Sequence, residues 1–456
     1  MAAPSRLPPP RPAHAQRNPP ALADLNLGDL TEPRHNTATV RRILAMYLTK
    51  TVALFRSIPL SVVEASNRAL YQETLDLLAT AHAADQHVAL QIFRLPTVSA
   101  FVHCIAGQLH PSGDRAAINP WLRELCGQIA LELAILGRLA RPVHIGSGAD
   151  GQLPLLCSPT ANVAIAVRGL QPRVSFSNGL VQIEAGGERA GVDLRNPQPM
   201  DSQAVTVWRP YARVAAGLWV TDCDNNPLAM SEAHPDKQGN RPDLGGHSLQ
   251  QWATTLAEAI ALIDQHLPLL GEELRLLARV FVAVGYDAER HLSASYQEVI
   301  GTIYLTLHPQ LMTMAEAVVH EFQHNKINAM FHFDPLLHNA WTPLYSSPVR
   351  PDPRPLHGVI LAVHAFQPVA RLYEQMSLQG HLLATQSAWN ERFARIITLD
   401  RAGAATVLDH ALPTALGSAF FAQMRQLDEH LGELAAQRWP NAAATKANMD
   451  EVAGHD

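Results

Sequence analysis

The hydrophobic pattern of this chain changes twice along its length, and the changes limit the folds it can adopt. From about residue 35 to 141, apolar side chains recur at the spacing of one helix face. Between about 142 and 235, short β-prone runs alternate with turn residues, and a Ser-Asn-Gly turn joins two of them into a predicted hairpin. Helical patterning resumes near Ser248. The pattern predicts an α+β fold with a helical N-terminal region, an antiparallel β-rich middle and a C-terminal domain with long helices.

The composition is that of a soluble globular protein. The net charge is −6, so the chain has no broad basic field for a phosphate backbone, and we expect no nucleic-acid partner. No apolar run approaches the roughly 20 residues of a membrane span, and the N-terminus lacks the apolar core of a secretory signal. The four cysteines form no C-x-x-C pair, which indicates reduced thiols rather than a disulfide scaffold. We expect a cytoplasmic protein without a membrane partner.

The run H-E-F-Q-H at residues 320–324 has the H-E-x-x-H pattern of metal-binding helices. On a helix, His320 and His324 lie on one face, close enough to bind one metal ion. The preceding residues 314–319 favour helix and supply apolar side chains for a core. The alternative is a pair of core histidines in a chain that has 22 of them. Glu321 favours the metal interpretation, because it completes the pattern.

Glu321 is the candidate catalytic residue, and its role depends on the metal. In a zinc hydrolase, this glutamate takes a proton from metal-bound water as general base. In an iron enzyme, it would orient water or substrate, or hold a metal ligand in place. The histidine pair by itself is compatible with either metal.

A catalytic metal needs a third protein ligand. His357 and His364 lie seven residues apart in an apolar segment, and on a helix both would be near one face, two turns apart. We favour His364 because it lies deeper in the apolar segment, although either histidine could be structural. The remaining candidates are His332, His338 and Glu374.

A proline-rich loop at residues 350–355 precedes this segment and carries Arg350, Asp352 and Arg354. Its prolines restrict the backbone and keep it out of a helix until the next element begins. The arginines could bind a carboxylate with two parallel hydrogen bonds. Alternatively, Asp352 pairs with one of them and fixes the loop. A dicarboxylate cosubstrate requires such a clamp and hydrolysis does not, so the loop favours the iron enzyme.

Two features before the motif bear on substrate binding. The strand predicted at residues 302–307 comes directly before the metal helix and would suit a sheet edge that pairs with an extended peptide. Ser293 and Ser295 precede this strand. Their hydroxyls could cap an element, form a turn or contact substrate, and capping is the commonest of these roles.

The H-E-F-Q-H helix, the R-P-D-P-R-P loop and the following H-G-V-I-L-A-V-H-A-F helix together resemble a bacterial family. It comprises H-E-x-x-H-type peptide-modification proteins of ribosomal natural-product pathways, which are 2-oxoglutarate-dependent peptide β-hydroxylases. The resemblance covers roughly residues 290–375. It implies Fe(II), 2-oxoglutarate and molecular oxygen, and hydroxylation at the β-carbon of a residue in a precursor peptide.

Carried over residue by residue, the resemblance implies that His320 and His324 bind iron. By position, His364 would be the third ligand, and Arg350 or Arg354 would bind the 2-oxoglutarate carboxylate. Two alternatives stay open at this point. One is a zinc metallopeptidase with Glu321 as general base, and the other is a non-catalytic peptide-binding partner in a maturation complex.

These features divide the 456 residues into five predicted segments. A proline-rich, disordered tail (1–24) precedes a helical region (25–141) and a β-rich region (142–240). An H-E-x-x-H metal-binding catalytic domain of the zincin-like kind (241–440) and a flexible tail (441–456) follow.

Overall fold

A computed structural model describes residues 29–148, 151–169, 171–231, 233–234, 237–347 and 352–440. The fold is mixed α+β with sheets rich in antiparallel pairs, 51% helical and 17% strand, which confirms the predicted class. The predicted tails 1–24 and 441–456 lie outside the described residues, as does Arg350. Of the helices in the described ranges, none combines the length and apolar character that crossing a bilayer requires.

The helices of the described residues are α1 (Ala38–Arg56), α2 (Ala65–Ala84), α3 (Val88–Phe93), α4 (Pro96–Gln108), α5 (Ile118–Ile135), α6 (Leu249–His266), α7 (Pro268–Leu277), α8 (Leu311–Phe331), α9 (Leu356–Leu378), α10 (Ser387–His410) and α11 (Ala415–Arg438). Two short 3-10 helices span Arg115–Ala117 and Leu382–Thr385. Helix α6 begins after Ser248, as predicted, because Ser248 and Gln251 form a capping box.

The strands are β1 (Val143–Gly146), β2 (Leu156–Ser158), β3 (Val163–Val167), β4 (Arg173–Ser177), β5 (Leu180–Ala185), β6 (Glu188–Asp193), β7 (Met200–Asp201), β8 (Val205–Trp208), β9 (Tyr211–Ala215), β10 (Leu218–Thr221), β11 (Ala233–His234), β12 (Lys237–Gln238), β13 (Val280–Tyr286), β14 (Ser293–Ala294), β15 (Thr302–Leu307), β16 (Leu344–Tyr345) and β17 (Arg354–Pro355).

The chain forms two compact units. The central unit is Ile43–Ala329, and the terminal unit combines Met1–Arg42 with Met330–Asp456.

In the central unit, two antiparallel four-stranded sheets and a group of helices share one hydrophobic core. The sheet orders are β1-β4-β5-β6 and β2-β3-β8-β7. The predicted hairpin is β4–β5, where Gly179 at φ +77° provides the left-handed backbone that its short turn needs. Apolar residues of α2–α5 and of both sheets pack into the same core, so the helical and β-rich regions stabilise one another.

The third sheet of the central unit carries the strands next to the metal motif, in the order β14-β15-β13-β10-β9. Strands β10, β13 and β15 are parallel, and β9 and β14 are antiparallel edges. The prediction that residues 302–307 form a sheet edge is wrong, because β15 lies between β13 and β14. All six residues of β15 are buried, as is typical of an interior strand covered on both faces.

In the terminal unit, the segment before α1 is bound to the C-terminal helices. The backbone N–H groups of Leu30 and Thr31 donate to Oε1 of Gln423 on α11 at 2.9 and 3.3 Å. Arg371 Nε of α9 donates to both carboxylate oxygens of Glu32 at 3.2 Å. Leu30 and Gln423 are 393 positions apart in the sequence, and Glu32 and Arg371 are 339 positions apart.

Candidate metal centre

The three motif residues on α8 bring their ligand atoms together. The Nε2 atoms of His320 and His324 are 3.0 Å apart, and the two rings are nearly perpendicular at 85°. These nitrogens and a carboxylate oxygen of Glu321 all lie within 4.8 Å of one another. Both histidines are half-buried and Glu321 is 3% exposed. Two imidazole nitrogens this close together can bind one Zn(II) or Fe(II) ion, with the Glu321 carboxylate beside it.

The electrostatics of His324 favour the form that binds metal. Burial lowers the pKa of its imidazole, and the nearby Glu321 carboxylate offsets part of this effect. A lowered pKa keeps the ring neutral, and a histidine must be neutral to be a metal ligand. Since the two Nε2 atoms also face each other, the residues present fit a shared divalent cation.

The carboxylate of Glu321 is held by two serine hydroxyls. Ser293 Oγ donates to Oε1 at 2.7 Å, and Ser295 Oγ donates to Oε2 at 2.7 Å. Ser293 belongs to β14 and Ser295 follows it by two positions. The edge strand of the sheet therefore contacts the metal motif directly. Of the roles considered from the sequence, neither capping nor turn formation describes these two hydrogen bonds.

Asn325 links the same serine to the backbone of the motif. Its Nδ2 lies 3.2 Å from Ser295 Oγ, 3.2 Å from the carbonyl oxygen of Thr302 and 3.0 Å from that of Glu321. Its Oδ1 accepts a hydrogen bond of 2.7 Å from the N–H of Gly301. Through this side chain, α8 is fixed to the loop that joins β14 to β15.

A buried ion pair fixes α8 on another side. Lys326 Nζ lies 2.8 Å from Glu273 Oε2 of α7, and both side chains are 0% exposed. Asn325 and Lys326 were not predicted, although they extend a run of four polar residues, 323–326, in a helix that is otherwise largely apolar. This polar run could have indicated that the two residues are functional or structurally important. It does not predict which residues they contact.

Buried polar atoms remain beside the motif. Nδ1 of His324 and both amide atoms of Gln323 are buried and have no hydrogen-bond partner among the residues that the structure describes. A buried polar group without a partner costs about 1–3 kcal/mol. Such atoms are commonly explained by an unseen water or ligand, and their place within the motif is consistent with a functional site.

The predicted third ligand lies in the terminal unit. His364 is on α9, is 0% exposed, and its ring centroid lies 5.2 Å from that of Phe420. His357, on the same helix, packs against Phe331 at 4.6 Å and stacks on Trp341 at 4.6 Å. This aromatic contact favours a structural role for His357. The assignment of His364 as third ligand stays a prediction.

The other predicted residues also lie in the terminal unit. Arg354, in β17, places Nε 2.8 Å from Asp352 Oδ2, which is the structural pair that the sequence left open as an alternative. Its role in binding a cosubstrate stays a prediction, and Arg350 is outside the described residues. Glu374 is ion-paired with Arg371 and lies 2.8 Å from His430 Nε2.

No model of a known protein family matches this chain, and no curated protein is significantly similar to it.

Proposed function

We propose that this protein is an Fe(II)- and 2-oxoglutarate-dependent dioxygenase that hydroxylates the β-carbon of a residue in a ribosomally made precursor peptide. The observation that carries the proposal is that ligand atoms of His320, Glu321 and His324, all on α8, lie within 4.8 Å of one another. The resemblance of the three motifs to peptide β-hydroxylases supports iron over other metals. A zincin-like arrangement of the C-terminal domain belongs to the same proposal.

In this proposal the residues of the chain have distinct tasks. His320 and His324 hold the metal, with His364 as the proposed third ligand. Fe(II) and 2-oxoglutarate, if bound there, would activate O2 as the oxidant, with one oxygen atom going to the keto acid, which becomes succinate and CO2, and the other to the C–H bond, which becomes C–OH. Glu321, fixed by its serine partners, accepts a hydrogen bond from water or substrate beside the metal. Arg350 or Arg354 binds the distal carboxylate of 2-oxoglutarate.

A second candidate function is peptide hydrolysis by zinc, and one observation favours it. The Glu321 carboxylate lies within 4.8 Å of both imidazole nitrogens, which is close enough to act on a metal-bound water as general base. The motif resemblance and the arginine loop favour hydroxylation instead, because hydrolysis needs no keto acid.

Two measurements distinguish the two candidate functions: the identity of the bound metal and the binding of 2-oxoglutarate. The protein is purified without oxygen, its metal content is measured, and 2-oxoglutarate binding is followed by calorimetry before and after addition of Fe(II). We expect iron-dependent binding of 2-oxoglutarate, and succinate formation with the precursor peptide. His320→Ala and His324→Ala should abolish both, whereas His357→Ala, which removes a stacked histidine, should retain them.

Two results would contradict the proposal. Bound zinc together with peptide cleavage that is lost in Glu321→Gln would establish the metallopeptidase. A metal-loaded protein that binds the peptide but neither cleaves nor hydroxylates it would establish the non-catalytic maturation partner.

A further inference from the structure

The edge strand beside the motif and the residue that follows it present two hydroxyls to one carboxylate. Ser293 lies in β14 and Ser295 comes directly after this strand, and both donate to Glu321, so both side chains face α8. Ala294, between them, points away and packs in the cluster that contains Tyr304. The register is fixed by the pairing of Ser293 with Leu305 and of Ala294 with Tyr304. The sheet therefore determines the position of the Ser293 hydroxyl, whereas Ser295 is held by its contacts with Glu321 and Asn325.

Each oxygen of Glu321 takes one of these hydrogen bonds, at 2.7 Å in both cases. Hydrogen bonds of a hydroxyl to a carboxylate are charge-assisted and are stronger than those between neutral groups. Two anchors on two different oxygens oppose rotation of the carboxylate. Because an ionised carboxylate offers about four acceptor positions, Glu321 keeps acceptor positions for a further donor.

Asn325 directs one of the two hydroxyls. A serine hydroxyl has one hydrogen to donate, and Asn325 Nδ2 lies 3.2 Å from Ser295 Oγ as a donor to it. The hydrogen of Ser295 is then left for Glu321, where Oε2 is at 2.7 Å and the backbone carbonyl oxygen at 3.3 Å. The shorter distance favours the carboxylate.

The serine hydrogen bonds matter because the Glu321 carboxylate lies close enough to the two histidines to bind the same metal ion. Two ligand atoms bound to one ion at about 2.1 Å lie at most about 4.2 Å apart. The carboxylate oxygen lies within 4.8 Å of the histidine nitrogens, so a small movement would let it bind the ion. A carboxylate that bound the metal would occupy a position that substrate or water needs.

We propose that Ser293 and Ser295 are positioning residues that hold Glu321 beside the metal as a hydrogen-bond acceptor and keep it from becoming a metal ligand. This inference rests on the proposed metal centre and applies whether that centre hydroxylates or hydrolyses. It assigns a task in the chemistry of the site to the edge strand β14 and to the residue that follows it.

The test uses Co(II) as a probe, because its visible absorption reports the number and kind of its ligands. In the full-length Ser293→Ala/Ser295→Ala protein, we expect the Co(II) spectrum to change as an oxygen ligand joins the ion. We expect the affinity for Co(II) to rise by about tenfold, because the added oxygen ligand needs to contribute only about 1.4 kcal/mol to binding for this change. Adding Glu321→Gln to this variant should return both spectrum and affinity to wild-type values.

Controls separate positioning from general disturbance. Ser202→Ala removes another serine–glutamate hydrogen bond, of 2.8 Å to Glu188, and should leave the Co(II) spectrum unchanged. Ser293→Thr keeps a hydroxyl and should also retain it. If the double variant does not fold, Ser293→Ala and Ser295→Ala are measured singly, and each should show part of the change.

The outcomes distinguish this inference from the proposed function. A wild-type protein that binds Co(II), with an identical spectrum and affinity in the serine variants, would overturn the positioning role alone. A wild-type protein that binds no Co(II) would overturn the metal centre and the positioning role together.

Discussion

At the scale of single residues, a buried carboxyl group makes stability depend on pH. Glu132 lies on α5 and is 1% exposed. Burial raises the pKa of its carboxyl from 4.5 to about 7, and hydrogen bonds from Ser158 and Thr160 oppose part of this shift. Between these two values, the folded state keeps a proton that the unfolded state has released. Glu132 therefore destabilises the fold increasingly as the pH rises from about 4.5 to about 7.

Glu132→Gln should remove this dependence. We expect the variant to gain about 2–3 kcal/mol relative to the wild type when the pH is raised from about 5 to about 8. The free energy of unfolding is measured with urea at both pH values. Glu184→Gln, at an exposed position, serves as control and should follow the wild type. An advantage for Glu132→Gln that is equal at both pH values would contradict the raised pKa.

Arg354 provides a test of the cosubstrate site. If its guanidinium binds 2-oxoglutarate, Arg354→Ala should weaken keto-acid binding by at least about tenfold, because an arginine–carboxylate contact is charge-assisted. Iron content should stay unchanged. The matched control is Arg189→Ala, which also removes an arginine paired with an acid, Glu184, and should bind 2-oxoglutarate normally. Equal affinity in the Arg354 variant and the wild type would refute the assignment.

His364 can be tested as third ligand in the same way. We expect His364→Gln to lower the affinity for Fe(II) by at least about tenfold, since glutamine cannot replace an imidazole as a ligand. His357→Gln, on the same helix, should leave the affinity unchanged. Anaerobic metal titration of the two folded variants measures the difference. The reverse order would move the assignment to His357.

The sequence predicted the helix that carries the H-E-x-x-H run but not the residues around it. The closeness of His320 and His324 could be predicted because helix periodicity is a local signal, here within five residues. The serine hydroxyls meet Glu321 through the pairing of β14 with β15, and Glu273 meets Lys326 across 53 positions. Such partners depend on tertiary packing, which no short pattern encodes.

Among the elements, the ion pair between α7 and α8 holds in place the helix that carries the H-E-x-x-H run. Lys326 and Glu273 are both fully buried. Removing one partner leaves an uncompensated charge in the interior, so Lys326→Met should destabilise the protein by about 3–5 kcal/mol. Thermal or urea unfolding measures this change.

The double variant Lys326→Met/Glu273→Leu is the control for this prediction. Replacing both charges with apolar side chains is often neutral or stabilising, so it should recover most of the stability. A double variant as unstable as Lys326→Met would show that the loss comes from packing and not from the unpaired charge.

The strand β15 shows what an element's own sequence can and cannot predict. Its bounds, Thr302–Leu307, agree with the predicted run, because six consecutive β-prone residues identify a strand. Its place inside the sheet was missed, because the neighbouring edge strand β14 has only two residues. A segment that short has no periodicity of its own.

At the scale of the whole chain, the terminal unit joins residues from both ends of the described sequence. Gln423 accepts two backbone hydrogen bonds, from Leu30 and Thr31. Gln423→Met would leave both N–H groups without this acceptor, at a cost of about 1–3 kcal/mol. Hydrogen exchange at these two amides should accelerate.

A neighbouring glutamine on the same helix gives the control. Gln426 accepts one exposed side-chain hydrogen bond of 3.1 Å from Arg34, so Gln426→Met should change the free energy of unfolding by less than about 0.5 kcal/mol. Equal effects of the two variants would show that the backbone contacts at Gln423 do not stabilise the unit.

The division into units is the part of the fold that the local pattern does not reveal. The α+β class followed from two changes in hydrophobic periodicity. The pairing of Glu32 with Arg371 cannot be predicted from the sequence around either residue, because an isolated charged side chain does not indicate its partner. Contacts over such separations are known only once the chain has folded.

The link between Leu30 and Gln423 has a consequence for synthesis in the cell. A ribosome that adds about 5–20 residues per second needs about 20–80 s to travel between these two positions. During that interval, Gln423 has not been synthesised and cannot accept hydrogen bonds from Leu30 and Thr31. The nascent N-terminal segment is then accessible to chaperones and proteases. If translation stalled before residue 423, the N-terminal segment would lack the hydrogen bonds to Gln423, even though the H-E-x-x-H run at residues 320–324 had already been synthesised.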